Sequence, residues 1–191
     1  MERFNRGKKV LINGAGGGVG TFAIQIAKTF GAEVTGVDST EKLNTMRLIG
    51  ADNVIDYTQE DFTKNGQQYD LILDVAAYHS IFDYKHALGP GGIYVMVGGS
   101  TARSFQTILL GPFISMIGKL LSGQAGKKMG ILAHKPNKDL NYLKGLFEAD
   151  KVKPVIDRLY PLSEIAAAFR YFGEGHARGK LVIAVEHHNT T

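Results

Sequence analysis

The chain has 191 residues, enough for one substantial core and a small appendage. Hydrophobic residues make up 44% and charged ones 21%, ordinary values for a soluble globular protein, and the net charge of +4 comes without a basic stripe interleaved with aromatics, which points away from nucleic acid. Cysteine is absent, so disulfides and thiolate zinc sites within this chain are excluded.

The opening Met1 to Gly7 has no long apolar stretch and does not read as a signal peptide. A first strand is expected over Lys9 to Asn13. It enters a glycine cluster, Gly14 to Gly20, and a helix from about Gly18 to Phe30 follows, with Val19, Ala23, Ile26 and Ala27 at spacings of three and four and Gly31 as its stop. Strand, tight turn and helix in this order suit a pyrophosphate. The turn requires residues without a Cβ, and the helix tip offers unpaired N–H groups and a partial positive charge. Gly17 and Gly18 close the glycine cluster, Val19 opens the helical pattern, and Gly20 would let the helix pack close against the strand. The frame Ala15-x-Gly17-x-x-Gly20 departs from the strict G-x-G-x-x-G pattern by an alanine in first place; its flanking strand and helix carry the discrimination from a flexible loop. A second strand, Glu33 to Val37, ends at Asp38, about 20 residues after the glycines, where an acid can bond ribose hydroxyls.

Ser39 or Thr40 is placed to cap the next helix, which carries Leu43, Met46 and Ile49 and ends at Gly50. A third strand follows over Asn53 to Asp56, then a short helix around Glu60 to Asn65 whose Glu60-Asp61 pair would be solvated. The fourth strand, Asp70 to Val75, is apolar between its aspartates, as in a sheet covered on both faces. A helix over Ser80 to Leu88, a turn at Gly89-Pro90-Gly91-Gly92 and a fifth strand over Ile93 to Val97 complete an α/β alternation. The fold class is therefore a doubly wound parallel sheet (Rossmann) with helices on both faces. Right-handed crossovers bring Gly14 to Gly20, Asp38, Tyr57, Val75, Ala76, Ala77, Gly98, Gly99 and Ser100 to one edge, where ligands bind in such sheets. Residues 101–126 are apolar and punctuated by glycine, and read either as a loop with one core helix or as a flap. The apolar run from Phe105 to Leu121 is too short and broken to span a bilayer. Lys128 to His134 reads as an edge strand, Asp139 to Ala149 as a helix, Val152 to Asp157 as extended, Leu162 to Phe172 as a helix with Ser163 as cap, and Lys180 to Val185 as a strand. The tail from Glu186 carries His187-His188, which are expected to be solvated rather than metal-binding.

The run Asn13-Gly14-Ala15-Gly16-Gly17-Gly18-Val19-Gly20, with Ala27-Lys28 and Gly31-Ala32 after it, resembles the cofactor domain of medium-chain dehydrogenases/reductases, and within them the zinc-independent quinone oxidoreductase (zeta-crystallin-like) branch. Gly50 to Tyr57, Gly91 to Gly98 and Arg178 to Ile183 extend the resemblance, collinearly, over nearly the whole chain. The resemblance implies hydride transfer from NAD(P)H to a small carbonyl, enone or quinone, without zinc. It implies that residues 1–151 form the dinucleotide-binding domain, and that 152–191 complete, in relatives, a substrate domain that would precede the glycine loop. An exposed apolar patch on 152–185 is the expected consequence. It also implies a homodimer through the 128–134 strand. The substrate-contacting residues lie largely in that other domain, so no catalytic residue is assigned. Neither a Ser/His/Asp set nor a Tyr-x-x-x-Lys pair is present to suggest another chemistry.

For the cofactor, Asp38 by itself favours NAD, because a carboxylate repels a 2′-phosphate. By resemblance, Ser39, Thr40, Lys42 and Tyr57 surround that phosphate and favour NADP(H). The expectation is NADP(H), with Asp38 weakening the preference. The partners expected are a small-molecule substrate and a second copy of the chain, with no nucleic acid and no membrane, in the cytoplasm. Two other classes stay open. One is a non-catalytic dinucleotide-binding module. The other is an S-adenosylmethionine methyltransferase, disfavoured by the close-packed Gly20 and the later collinear matches.

Overall fold

Val10, Leu11 and Ile12 are all buried, which is possible only where a strand is covered on both sides. They form the middle of β1 (Lys9–Asn13) in a six-stranded sheet with β2 (Glu33–Asp38), β3 (Asn53–Asp56), β4 (Tyr69–Asp74), β5 (Leu88–Met96) and β6 (Lys128–Ile131). The computed structural model describes residues 7–97, 128–131 and 139–185. The expectations for Gly98, Gly99 and Ser100, for 101–126, for 132–134 and for His187 and His188 lie outside the described residues.

The sheet order is β3-β2-β1-β4-β5-β6, and every pairing is parallel. The chain winds outward from β1 to β3, then returns to β4 and winds the other way. The crevice between the C-terminal ends of β1 and β4 is thus the topological switch point, where ligands bind in open α/β sheets. Side chains of β1 alternate between two cores. Val10 and Ile12 join Ile24 of α1 (Gly20–Thr29) and Met46 of α2 (Leu43–Leu48), while Leu11 joins Phe62, Ile72 and Tyr84 of α3 (Ile81–Ala87).

Several elements differ from the sequence expectation. α1 starts at Gly20, not Gly18, because Gly14 to Val19 form the turn itself, and its N-cap Val19 has no side chain to cap it. A 3-10 turn, Thr40–Lys42, precedes α2, and Ser39 stands before it without a side-chain cap bond. The helix expected at Glu60 to Asn65 is absent. There Asp61 accepts the backbone N–H and the hydroxyl of Thr63 at 3.0 and 2.6 Å, a local closure that competes with helix, while Phe62 is drawn into the core. Glu60 and Asp61 therefore sit on a turn. The turn cluster at Gly89 to Gly92 is absorbed into β5, which begins at Leu88 and shifts register against β4 between Tyr69 and Leu71.

The last part of the chain does not join the main sheet. α4 (Leu140–Glu148) packs on α1, with Phe147 edge-on to Phe22 at 6.0 Å and Tyr142 stacked on Phe30 at 6.2 Å. Then β7 (Ile156–Pro161) pairs in parallel with β8 (Lys180–Ala184), joined by a 3-10 turn (Leu162–Glu164) and α5 (Ile165–Gly173). Ser163 lies inside that 3-10 turn and makes no side-chain cap bond; Pro161 and Glu164 take the cap positions. The expected exposed apolar surface is present on this unit: Ile156, Leu159, Leu162, Ile165, Phe169 and Phe172 are all exposed, Phe169 to 68%.

The closest approach of helix to strand is at Gly20. A Cβ there would fall 2.5 Å from Ala15 Cα and 2.6 Å from Ala15 C. Only backbone surrounds it, so no flexible side chain can yield. Gly20→Ala should therefore cost about 2 kcal/mol, lowering Tm by roughly 4–8 °C in a thermal melt followed by circular dichroism. An unchanged Tm would mean that helix and strand are not locked together here.

Candidate functional site

The glycine loop is held from both sides of the switch point. Gly14 has φ +81, a left-handed conformation that a Cβ-free residue adopts without strain, and donates its N–H to Val37 O at 2.9 Å. A Cβ on it would stand 3.3 Å from the Cβ atoms of Val75 and Ala76, so these three residues meet, as the topology predicts. Val75 in turn donates its N–H to Asn13 O at 2.9 Å. Gly16 donates its N–H to Asp38 Oδ2 at 2.8 Å, which ties the loop to the end of β2.

Gly18 and Val19 donate no backbone hydrogen bond to any of the described residues. With no side-chain cap at Val19, these N–H groups stand at the N-terminus of α1, the position that suits an anionic group. Gly17 and Gly18 present backbone without side chains here, and Gly179 O stands 3.2 Å from where a Cβ on Gly18 would lie. The C-terminal unit faces the same place. A cavity of about 470 Å³ lies between the loop and α5 and β8, with Gly17, Gly18, Lys42, Phe169, Phe172 and Lys180 among its lining. Lys180 Nζ stands 3.1 Å from where a Cβ on Gly18 would be, and 5.6 Å over the Phe22 ring. In the sequence Lys180 stands out only as part of the collinear Arg178 to Ile183 motif. A cation opposite a glycine loop has no fixed sequence offset, so spacing alone could not find it.

Two buried carboxylates frame the site. Asp38 and its neighbours Ser39 and Thr40 follow β2, and Lys42 closes back on Asp38 at 3.2 Å, with the lysine side chain only 10% exposed. Thr40 donates its hydroxyl to Asp56, and Tyr57 donates its N–H to Asp38 O at 3.2 Å. Asp38, Ser39, Thr40, Lys42 and Tyr57 thus lie together beyond the end of β2, and Lys42 is a buried partner of Asp38. At the other side, Asp74 is fully buried and accepts from Asn13 Nδ2 at 2.8 Å, Tyr94 OH at 2.8 Å and Ala77 N at 2.7 Å. Burial and the Asp74 charge push the nearby Tyr84 hydroxyl upward. This node was legible only as an aspartate closing an apolar strand; its partners come from β1, β5 and a loop.

The rim beyond β3 and β4 is aromatic. Tyr57 and Tyr78, both partly exposed, have ring centroids 5.8 Å apart, and Tyr78 lies 4.5 Å from the His79 ring. Burial, with the Asp74 charge next, raises the Tyr78 hydroxyl, so it is protonated at neutral pH. His79 Nε2 stands 3.8 Å from Asp61, linking the loop after β4 to the loop after β3.

Among the described residues no group of three or more His, Cys, Asp or Glu side chains is placed to hold a metal ion. No helix among them is long and apolar enough to cross a membrane.

A parallel doubly wound sheet with a Cβ-free, amide-presenting loop at its switch point defines a dinucleotide-binding α/β fold. The chain belongs to the zinc-binding dehydrogenase family, whose profile matches residues 49–183, and so to the medium-chain dehydrogenases/reductases that its collinear motifs resemble. It is 35% identical over 213 residues to mouse NAD(P)H oxidoreductase RTN4IP1, mitochondrial, covering 94% of this chain and 48% of that protein. It is 32% identical to the Arabidopsis thaliana chloroplastic NADPH-dependent alkenal/one oxidoreductase, across 94% of this chain and 41% of the relative. The solved quinone oxidoreductase from Coxiella burnetii superposes with a TM-score of 0.76 at 30% identity, covering 96% of this chain and 54% of that one. The chain thus spans about half the length of the relatives it matches. The family description includes zinc; the described residues do not offer a ligand set for it.

The tie between the two rim loops should be acid-sensitive. Partial burial pushes the Asp61 carboxyl up, but the hydrogen bonds from Thr63 and Lys64 and the charge on His79 outweigh it and hold the group at about 2, below its ordinary 3.8. A depressed carboxyl contributes its stability above the unfolded value and loses it as pH falls toward the folded one. The stability gap between wild type and Asp61→Asn should be fully present at about pH 5 and close between about pH 4 and pH 2. Urea melts across that range would show it. A gap that stays constant down to pH 2 would mean Asp61 is unpaired in solution.

Proposed function

We propose that this chain is the dinucleotide-binding part of a reductase that moves hydride from a nicotinamide cofactor to a small enone, alkenal or quinone. The observation that carries the reading is the pair of unpartnered amides, Gly18 and Val19, on a loop without side chains at the switch point of a parallel sheet. The names of the relatives, NAD(P)H and NADPH-dependent oxidoreductases, support the same class. When bound, the nicotinamide supplies the hydride, and the protein orients and desolvates it.

In this reading Gly14, Gly17, Gly18, Val19 and Gly20 form the diphosphate cradle, and Lys180 supplies a cation from the opposite side. Val75 and Ala76, which meet Gly14, belong to the same cofactor site, and Gly98 and Gly99 are assigned to it from the sequence. Asp38, Ser39, Thr40, Lys42 and Tyr57 flank the adenosine ribose, with NADP(H) preferred over NAD(H). Residues 152–191 complete a second domain like the other half of the relatives, which accounts for the exposed Leu159, Phe169 and Phe172. A homodimer would form along β6, the outermost strand of the sheet, which would cover that open edge. A cytoplasmic location belongs to the same proposal.

The second reading is a non-catalytic dinucleotide-binding module, which the chain's span of about half its relatives' length favours. Turnover of an enone with NADPH by this chain alone separates the two. For the cofactor, fluorescence titration with NADPH, NADH and S-adenosylmethionine should show saturable binding of the nicotinamides only. Lys180→Ala should weaken that binding about tenfold, near 1.4 kcal/mol, and Gly18→Val should abolish it. Binding of S-adenosylmethionine alone would replace the reductase reading with a methyltransferase.

A further inference from the structure

Asp38 stands where an acid would normally accept ribose hydroxyls, yet the chain itself closes it. Its Oδ2 accepts the Gly16 N–H at 2.8 Å; its Oδ1 accepts the Ser39 N–H at 2.9 Å and pairs with Lys42 Nζ at 3.2 Å. The two side chains are 7% and 10% exposed. Lys42 reaches this place only because Gly16 lacks a side chain: a Cβ there would fall 2.6 Å from Lys42 Cβ and 2.7 Å from its Cδ. A carboxylate chelating a ribose diol needs acceptor sites on both oxygens facing out. Here one oxygen has two donors, the other has one, and little of either reaches solvent.

We propose that Asp38 and Lys42 act as one neutral unit that clips the glycine loop to the end of β2 and admits NADP(H) by cancelling the charge that would repel a 2′-phosphate. Lys42 is then a positioning residue that works through Asp38, not a phosphate ligand. A buried charge left without its partner is strongly unfavourable, so removing Lys42 alone exposes the acid's repulsion, and removing both charges abolishes it. This inference rests on the dinucleotide reading above. It differs from direct phosphate contact by Lys42 in one respect: the effect of losing Lys42 depends on whether residue 38 is charged.

The test uses the full chain as wild type, Lys42→Met, Asp38→Asn and the double variant; methionine keeps an unbranched stem over Gly16. NADPH and NADH affinities are measured by fluorescence titration, with thermal melts confirming folding. Lys42→Met should weaken NADPH at least about tenfold and NADH by less than about threefold, and Asp38→Asn in the Lys42→Met background should restore NADPH to within about threefold of wild type. A loss of NADPH binding that persists undiminished in the double variant would overturn the proposal and make Lys42 a direct ligand, as would an unchanged NADPH/NADH ratio in Lys42→Met. Failure of the wild type to bind either nucleotide overturns the dinucleotide reading itself. The clip is read separately, without nucleotide, by hydrogen exchange at the Gly16 amide: Asp38→Asn should speed it at least about tenfold, and unchanged protection would remove the clip.

Discussion

The near-contact of Gly20 with the backbone of Gly14 and Ala15 is the constraint on which the rest of this structure hangs. With no side chain at that crossing, α1 can begin directly over the end of β1. The turn between them has no length to spare, so the amides of Gly18 and Val19 point off the helix tip rather than being capped. One steric fact at a helix–strand crossing thereby produces the electrostatic feature of the site. A larger residue at that crossing would move the tip away from the switch point and separate the cradle from Val75 and Ala76.

A second regularity organises the same edge. β2, β3 and β4 all end on aspartate, and each carboxylate accepts an N–H from the loop that follows it: Asp38 from Ser39, Asp56 from Thr58, Asp74 from Ala77. Strand ends leave backbone donors without ladder partners, and an acid at the last position supplies the acceptor. Burial grades these three. Asp74 is sealed and collects Asn13 and Tyr94 as well, and Asp38 is nearly sealed and collects Gly16 and Lys42. Asp56, at the sheet's outer edge, stays accessible. The donors that satisfy the two inner acids come from β1, β5 and the glycine loop, so the same bonds that satisfy the charges hold the walls of the crevice in register. Ala77, at φ +34, is a non-glycine residue in an unfavourable conformation that the Asp74 bond helps to maintain.

Much of this was legible in the sequence because its signals are local. Val10-Leu11-Ile12 before glycines announces two-face burial and has it; Leu71-Ile72-Leu73 between aspartates announces the same, but only Ile72 is buried, while Leu71 and Leu73 stay half-buried. The offset from Gly17 to Asp38 is fixed by one helix and one strand, so their convergence follows from topology. What was hidden depends on side chains choosing partners in three dimensions. The Asp61–Thr63 closure defeats a helix that the residues from Glu60 to Asn65 would otherwise allow. The Ser163 hydroxyl is bypassed because Pro161 turns the chain into a 3-10 start. The pairing of Lys42 with Asp38 was not legible, because the space over Gly16 that admits the lysine belongs to another element. Lys180 arrives at the glycine loop through the β7–β8 pairing, and no linear spacing encodes that.

The C-terminal unit links the two halves of this picture. It is anchored by polar ties rather than by a shared core: Gln25 exchanges hydrogen bonds with the Lys153 backbone at 2.9 and 2.8 Å, and Arg178 meets Glu41 at 2.5 Å. Exposed ties of this kind contribute little each, so they set a position without welding it. The unit brings Lys180 to the loop and leaves Leu159, Ile165, Phe169 and Phe172 exposed. Apolar surface of this extent on a two-stranded sheet and one helix is unfavourable unless a further layer covers it. The phenylalanines that line the cavity beside Gly17 and Gly18 are the same ones that such a layer would cover. Covering them would therefore also dry the space over the cradle, strengthening every charge interaction there.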